Sequence, residues 1–154
     1  MSLADRLADV RACVLQAADR DAVLEAAAGL LACHEAGAED LRTSLQARER
    51  LGSTAIGHGI ALPHGRLPTL EAPRGALLRL EPAIDFDAAD GEAVDLVFAM
   101  AVPDHYTHQH LMLLSELAER FSDERFRNAL RSAPDAQAMR ALLLDKPRPS
   151  KAAA

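Results

Sequence analysis

Apolar residues recur at three- and four-residue intervals in the first and last thirds of the chain, and run almost unbroken through parts of the middle. Leu24, Ala27, Ala28 and Leu31 share one face of a predicted helix. Asp19 stands before them as an N-cap, because its short carboxylate can accept an otherwise free N–H of the first turn. Asp21 adds a negative charge where the helix dipole favours one, and Gly37 is the expected stop. A second helix is predicted from about Glu39 to Arg50, with Leu41 and Leu45 inward and Gly52 closing it. An extended piece near Cys13 to Gln16 comes before both.

From Gly52 to Pro82 the chain is dense in Gly and Pro, so loops and short strands are expected. Ile60, Ala61 and Leu62 form one such strand. Gly75 to Leu80 and Val94 to Met100 read as longer strands, the second so apolar that both its faces must be covered. Pro82 to Gly91 reads as a surface connection. In the last third, Leu111, Leu114, Ala118 and Phe121 mark one face of a helix starting near Thr107. Ser122, Asp123 and Glu124 open another helix, carrying Phe126 and Leu130, and Pro134-Asp135 opens the last, through Met139 to Leu144. Helices at both ends with strands between predict an α/β fold, a small mixed β-sheet sandwiched by helices.

Composition narrows the class. The 154 residues suffice for about one domain. With four Phe, one Tyr and no Trp, the core must come from 24 Leu and 32 Ala, which leaves few stacking platforms for single-stranded nucleic acid. A net charge of −6 also argues against a general phosphate-backbone binder. No apolar run is long enough for a membrane span, so no membrane insertion is expected. Cys13 and Cys33 are too few for a disulfide framework and read as thiols of a reducing, cytoplasmic protein. Residues 146–154 hold two prolines and three positive charges without periodicity, and read as a flexible basic tail after a domain spanning residues 1–145. Those 145 residues carry 14 basic and 23 acidic groups, a balance of −9 that suits a basic or neutral partner surface.

Five of the six histidines lie in two short segments, His58 and His64 in the first and His105, His108 and His110 in the second. In the first, Pro63 stiffens the approach to His64, and Gly65 has no Cβ to keep another backbone or a phosphate away. Read from the residues alone, His64 is either an aimed reactive imidazole or a turn histidine at a strand end. In the second, His105, His108 and His110 follow one another at spacings that, with His64, make a zinc site conceivable. No cysteine or carboxylate stands at firm ligand spacing beside them. His110 opens an apolar helix and also fits a capping or half-buried role. His34, near a helix end, reads as structural.

The run from Leu45 to Gly65 resembles the enzyme IIA family of the bacterial phosphoenolpyruvate-dependent phosphotransferase system, in its fructose/mannitol class and most closely the nitrogen-regulatory branch. It contains Arg48-Glu49-Arg50, the Gly52-Ser53-Thr54 turn and Gly57-His-Gly-Ile-Ala-Leu-Pro-His64-Gly65. A third motif follows downstream as His110-Leu-Met-Leu-Leu114-Ser115. The resemblance extends from about Leu15 to Asp145. It implies that His64 is phosphorylated on Nε2 by an HPr-type histidine phosphocarrier protein, with His110 and Arg48 beside it supporting the phosphate. No cofactor and no metal are expected. His58 reads as variable loop surface, Arg66 as either a phosphate- or partner-binding group or a solvated arginine, and His105 and His108 take no role from the family. Within this reading, the chain regulates partner proteins, such as transporters or sensor kinases, according to its phosphorylation state. The alternative is a sugar-specific IIA that passes phosphate to a IIB domain. A His-cluster metal-dependent hydrolase and a non-catalytic interaction module are the readings from other classes.

Overall fold

A computed structural model describes residues 6–145; the predicted tail, 146–154, lies outside the described residues. Six strands form one mixed sheet: β1 (Asp9–Leu15), β2 (Ala55–Gly57), β3 (Ile60–Ala61), β4 (His64–Leu67), β5 (Arg74–Ile84) and β6 (Val94–Pro103). The order is β1-β5-β6-β3-β2, with β4 also pairing to β6. The long antiparallel pair β5 and β6 forms its centre; β1 joins β5, and β3 and β4 join β6, in parallel. Among the described residues, five helices flank the sheet: α1 (Arg20–Leu31), α2 (Ala38–Leu51), α3 (His108–Phe121), α4 (Glu124–Ser132) and α5 (Ala136–Leu144). The predicted sandwich is the observed one.

The period of two along β5 and β6 explains why helices lie on both faces. Ala76, Leu78 and Leu80 of β5 and Val97, Ala99 and Ala101 of β6 pack with Val23, Leu24 and Leu31 of α1 and Leu41 and Leu45 of α2. The alternate residues, Leu77, Leu96, Phe98, Met100 and Val102, pack with Leu113, Leu117 and Phe121 of α3, Phe126 and Leu130 of α4, and Met139 and Leu143 of α5. Leu77 sits opposite Phe98 and Leu78 opposite Val97, so the register keeps each pair in one layer. A one-residue slip would exchange the layers.

Several predicted boundaries move. The first strand starts at Asp9, earlier than expected. Helix α1 stops at Leu31 and not at Gly37: Ala32 turns out with ψ 141°, and Cys33 and Ala36 exchange backbone hydrogen bonds of 2.9 and 3.3 Å in a tight turn. His34 is exposed in that turn, beyond the helix. The caps at Asp19 and Asp135 are as predicted, each side chain accepting at 2.8 Å from the N–H three residues on. Asp123 caps α4. The connection after β5 is not wholly surface, because Phe86 is fully buried.

Arg79 is the polar exception in the middle of β5. Its guanidinium donates to the carbonyls of Leu130 (2.9 Å) and Ala133 (2.7 Å) and pairs with Glu81 at 3.1 Å. It thereby satisfies carbonyls left open where α4 ends. Arg79→Leu should lower stability by about 3 kcal/mol, since those buried acceptors would lose a charged donor. Urea denaturation measures the loss.

Candidate functional site

The segment that carries His64 is built on the central strand. Residues 55–61 form a tight hairpin whose two central residues, His58 and Gly59, both have positive φ (58° and 79°), as primed hairpin turns require. Asp90 holds the tip through the N–H of His58 at 3.0 Å, and Arg131 through its carbonyl at 2.6 Å. His58 is thus a turn residue outside the site. The chain then passes buried Leu62 and Pro63, and His64 opens β4 opposite Met100. Both ends of this short approach are anchored: Leu62 N–H donates to the Thr54 carbonyl at 3.0 Å, and Met100 N–H to the Pro63 carbonyl at 2.9 Å.

The backbone also sets the protonation of His64. Its Nδ1 lies 2.8 Å from the Leu62 carbonyl oxygen, which can only accept. Nδ1 therefore carries the hydrogen, and Nε2 of the neutral ring keeps its lone pair. Burial lowers the His64 pKa below the usual histidine value; the Leu62 carbonyl opposes this, and the positive charge of Arg48 adds to it. At neutral pH the ring is therefore uncharged.

His110, in the first turn of α3, stands with its ring centre 5.1 Å from that of His64 and nearly perpendicular to it. It is 8% exposed, and its Nε2 is buried with no hydrogen-bond partner. Burial first, then the proximity of His64 and Arg66, pushes its pKa down to about 4. A folded-state pKa below the unfolded value contributes stability at neutral pH that is lost as acid protonates this histidine in the unfolded chain while the folded ring stays neutral. Lowering the pH from about 6.5 towards 4 should cost up to about 3 kcal/mol through this group alone. Thermal melts across that window should show a shallower pH slope for His110→Gln than for the parent protein.

Both imidazoles line a groove of about 530 Å³ between α2, β4 and the start of α3. Arg48 lines it as well, its guanidinium donating at 2.9 Å to the carbonyl of Gly52, and so does Arg66. The structure thus brings His64, His110 and Arg48 to one cleft, whereas His105 lies edge-on to Tyr106 at 5.0 Å and His108 is exposed. Among the described residues, no three His, Cys, Asp or Glu side chains are grouped closely enough to hold a metal ion. A second depression of 540 Å³ lies around His58, Asp90 and Asp95, but its main charges are paired, Arg131 meeting Asp95 at 2.9 Å.

Two expectations are corrected here. Gly65 does not clear a path for a visiting molecule: a Cβ there would collide with Ser44 Oγ, so the glycine lets α2 approach β4. The inward face of α3 is His110, Leu113, Leu117 and Phe121, while Leu111 and Leu114 line the groove. Leu111 is 63% exposed and Leu51, across the groove, 85%. Ser44, Ala47 and Leu51 are groove residues that the motifs alone do not reveal. Their signal was the spacing Ser44-Arg48-Leu51, one face of α2 beside the buried Leu41-Leu45 face. Thr107 also lines the groove at the N-terminus of α3, a first turn without an acidic residue or a side-chain cap. Such a helix end, beside an arginine, favours an anion.

The sequence profile of the family described as "Phosphoenolpyruvate-dependent sugar phosphotransferase system, EIIA 2" matches residues 9–146, six residues before the expected start of the resemblance. A nitrogen regulatory protein of Pseudomonas aeruginosa is 44% identical over 125 residues, covering 80% of this chain and 81% of that protein. One from Bradyrhizobium diazoefficiens is also 44% identical, over 62% of this chain and 63% of its own length. The 2-O-alpha-mannosyl-D-glycerate-specific EIIABC component of Escherichia coli is 36% identical over 66% of this chain, but only 15% of its length is matched. The crystal structure of nitrogen regulatory protein IIA-Ntr from Neisseria meningitidis superposes with a TM-score of 0.81 at 36% identity, covering 87% of this chain and 92% of that one. Mannitol IIA of Escherichia coli, 19% identical with a TM-score of 0.72, shares the fold.

Proposed function

Because the chain belongs to the EIIA 2 family of the phosphoenolpyruvate-dependent phosphotransferase system, we propose that it is a histidine phosphocarrier whose phosphorylation state regulates partner proteins. In this reading, His64 Nε2 accepts a phosphoryl group from an HPr-type histidine phosphocarrier protein. The observation that carries it is the Nδ1–H bond to the Leu62 carbonyl, which leaves Nε2 as the bare nitrogen of a ring lining the groove. The step balances without an added acid or base. The Nε2–P bond forms as the N–P bond of the donor phosphohistidine breaks, and the donor nitrogen keeps that electron pair. Each ring retains its one N–H throughout.

Phosphoryl transfer depends on alignment and on positive or donor groups facing the equatorial oxygens. Arg48 supplies a permanent charge and His110 an N–H, while the α3 N-terminus adds a favourable dipole. Apolar Leu51 and Leu111 give the rim a surface on which a protein donor can seat. The regulatory branch is supported by the similarity to nitrogen regulatory proteins, one of them over four-fifths of the chain. A phosphate at His64 would bring about two negative charges into that rim and so change which proteins bind there. Residues 1–145 act as the functional unit, in the cytoplasm where such donors reside.

A second reading is favoured by the similarity to a sugar-specific EIIABC component: the chain passes its phosphate on to a IIB domain. One experiment addresses both. Incubation with phosphoenolpyruvate, enzyme I and an HPr-type protein should place acid-labile phosphate on the chain; no incorporation would overturn the phosphocarrier reading. Addition of a IIB domain then distinguishes the two, discharge of the label supporting transfer and retention supporting regulation.

A further inference from the structure

Glu49 follows Arg48 on α2 but faces the opposite way, into the protein, with 6% of its surface exposed. A buried carboxylate is costly unless it is paired and hydrogen-bonded. Here it accepts from Thr54 N–H at 2.9 Å and Thr54 Oγ1–H at 2.6 Å, and Arg20 lies at 3.6 Å. The bonds reach across the turn at Gly52 to the strand that precedes the histidine loop. Thr54 then accepts, through its carbonyl, the N–H of Leu62 at 3.0 Å, and the Leu62 carbonyl accepts His64 Nδ1–H at 2.8 Å.

We propose that Glu49 is a positioning residue for His64, fixing through Thr54 and Leu62 the carbonyl that holds the ring in its Nδ1–H tautomer. The inference rests on the reading of His64 as the phosphoryl acceptor. The sequence around Leu62 makes the coupling tight. Pro63 has a fixed φ and no N–H, and the Pro63 carbonyl is held by Met100, so the Leu62 peptide has little freedom on that side. On the other side its orientation depends on Thr54. Without Glu49, Thr54 loses both partners of its N–H and hydroxyl, and the Leu62 carbonyl is free to turn from Nδ1. The ring then has access to the other tautomer, in which the hydrogen sits on Nε2 and blocks attack. The reactive population falls by the fraction so diverted. The charge of Glu49 also acts on His64, against the effect of Arg48.

A merely structural carboxylate would stabilise the turn without affecting the tautomer, and nitrogen-15 spectra of the full-length protein separate the cases. The parent should show a protonated Nδ1 and a bare Nε2 at neutral pH. Glu49→Ala should show a mixture of tautomers and an about tenfold slower labelling by the HPr-type donor, less than the loss typical of a 1 Å misplacement. Glu49→Gln should restore the parent spectrum, because its amide oxygen can accept from Thr54 N–H while its NH₂ donates to Thr54 Oγ1. Thr54→Val removes one bond alone and should shift the tautomer in the same direction by less, which serves if Glu49→Ala does not fold. An unchanged His64 spectrum in folded Glu49→Ala, or in Thr54→Val where the former does not fold, overturns the inference. If the parent takes no phosphate, the phosphocarrier reading fails, while the spectra still decide the role of Glu49.

Discussion

His64→Ala is expected to incorporate no acid-labile phosphate under conditions that label the parent protein completely. The reason lies in the inventory of the groove. Arg48 and Arg66 are not nucleophiles at neutral pH, and the hydroxyls of Ser44 and Thr107, like the carboxylate of Asp104 beside them, are weak nucleophiles. His110 is neutral, but its Nε2 has no exposed surface. His64 combines a place in the groove with a bare Nε2, its Nδ1 being held by the Leu62 carbonyl. The substitution should leave the fold intact, with a stability change within about 1 kcal/mol, because the ring is half-exposed and its one hydrogen bond is local. Residual labelling of a folded His64→Ala chain would reassign the acceptor. Phosphopeptide mapping would then find it.

The second large effect belongs to the groups around the acceptor. Arg48→Ala and His110→Ala should each slow labelling by roughly 100-fold without abolishing it, the usual cost of removing one preorganised donor from a charged transition state. Arg48→Lys should recover only part of the rate, since a point charge replaces a planar pair of donors. In the present conformation Arg48 donates to the Gly52 carbonyl, a bond that its guanidinium would exchange for the phosphate in the phosphocarrier reading. Stopped-flow or rapid-quench labelling separates the outcomes: loss of all label with either variant would make that residue an obligate participant, and no change would remove it from the site.

Much of this arrangement is legible in the sequence because local physics dominates it. Asp19 and Asp135 cap helices by bonds that span three residues, and Val94 to Met100 can be little else than a strand covered on both sides. The site residues come from the resemblance, and the structure adds what no spacing contains. The inward turn of Glu49 depends on how α2 lies on the sheet, and so does the clash that makes Gly65 a packing glycine. The face of α3 departs from the expected one at Leu111, which rims the groove, whereas Leu114 both packs against the core and lines the groove. Apolar residues there extend around the helix beyond the core-facing stripe, and periodicity cannot tell a core leucine from one that rims a groove. Phe86 was missed because a single buried side chain in an acidic loop leaves no period to read.

The attachment of His64 to the middle of the sheet has one more consequence. β4 is bonded to β6, which is clamped between two layers of core, so the segment that carries His64 is anchored at its base. In the phosphocarrier reading the message is then a field and not a movement. A field in physiological salt fades over a Debye length of about 8 Å. A protein that distinguishes the two states must therefore touch the rim of this groove, and its discrimination should weaken steadily as salt is added. Partners that bind farther away will hold both states alike.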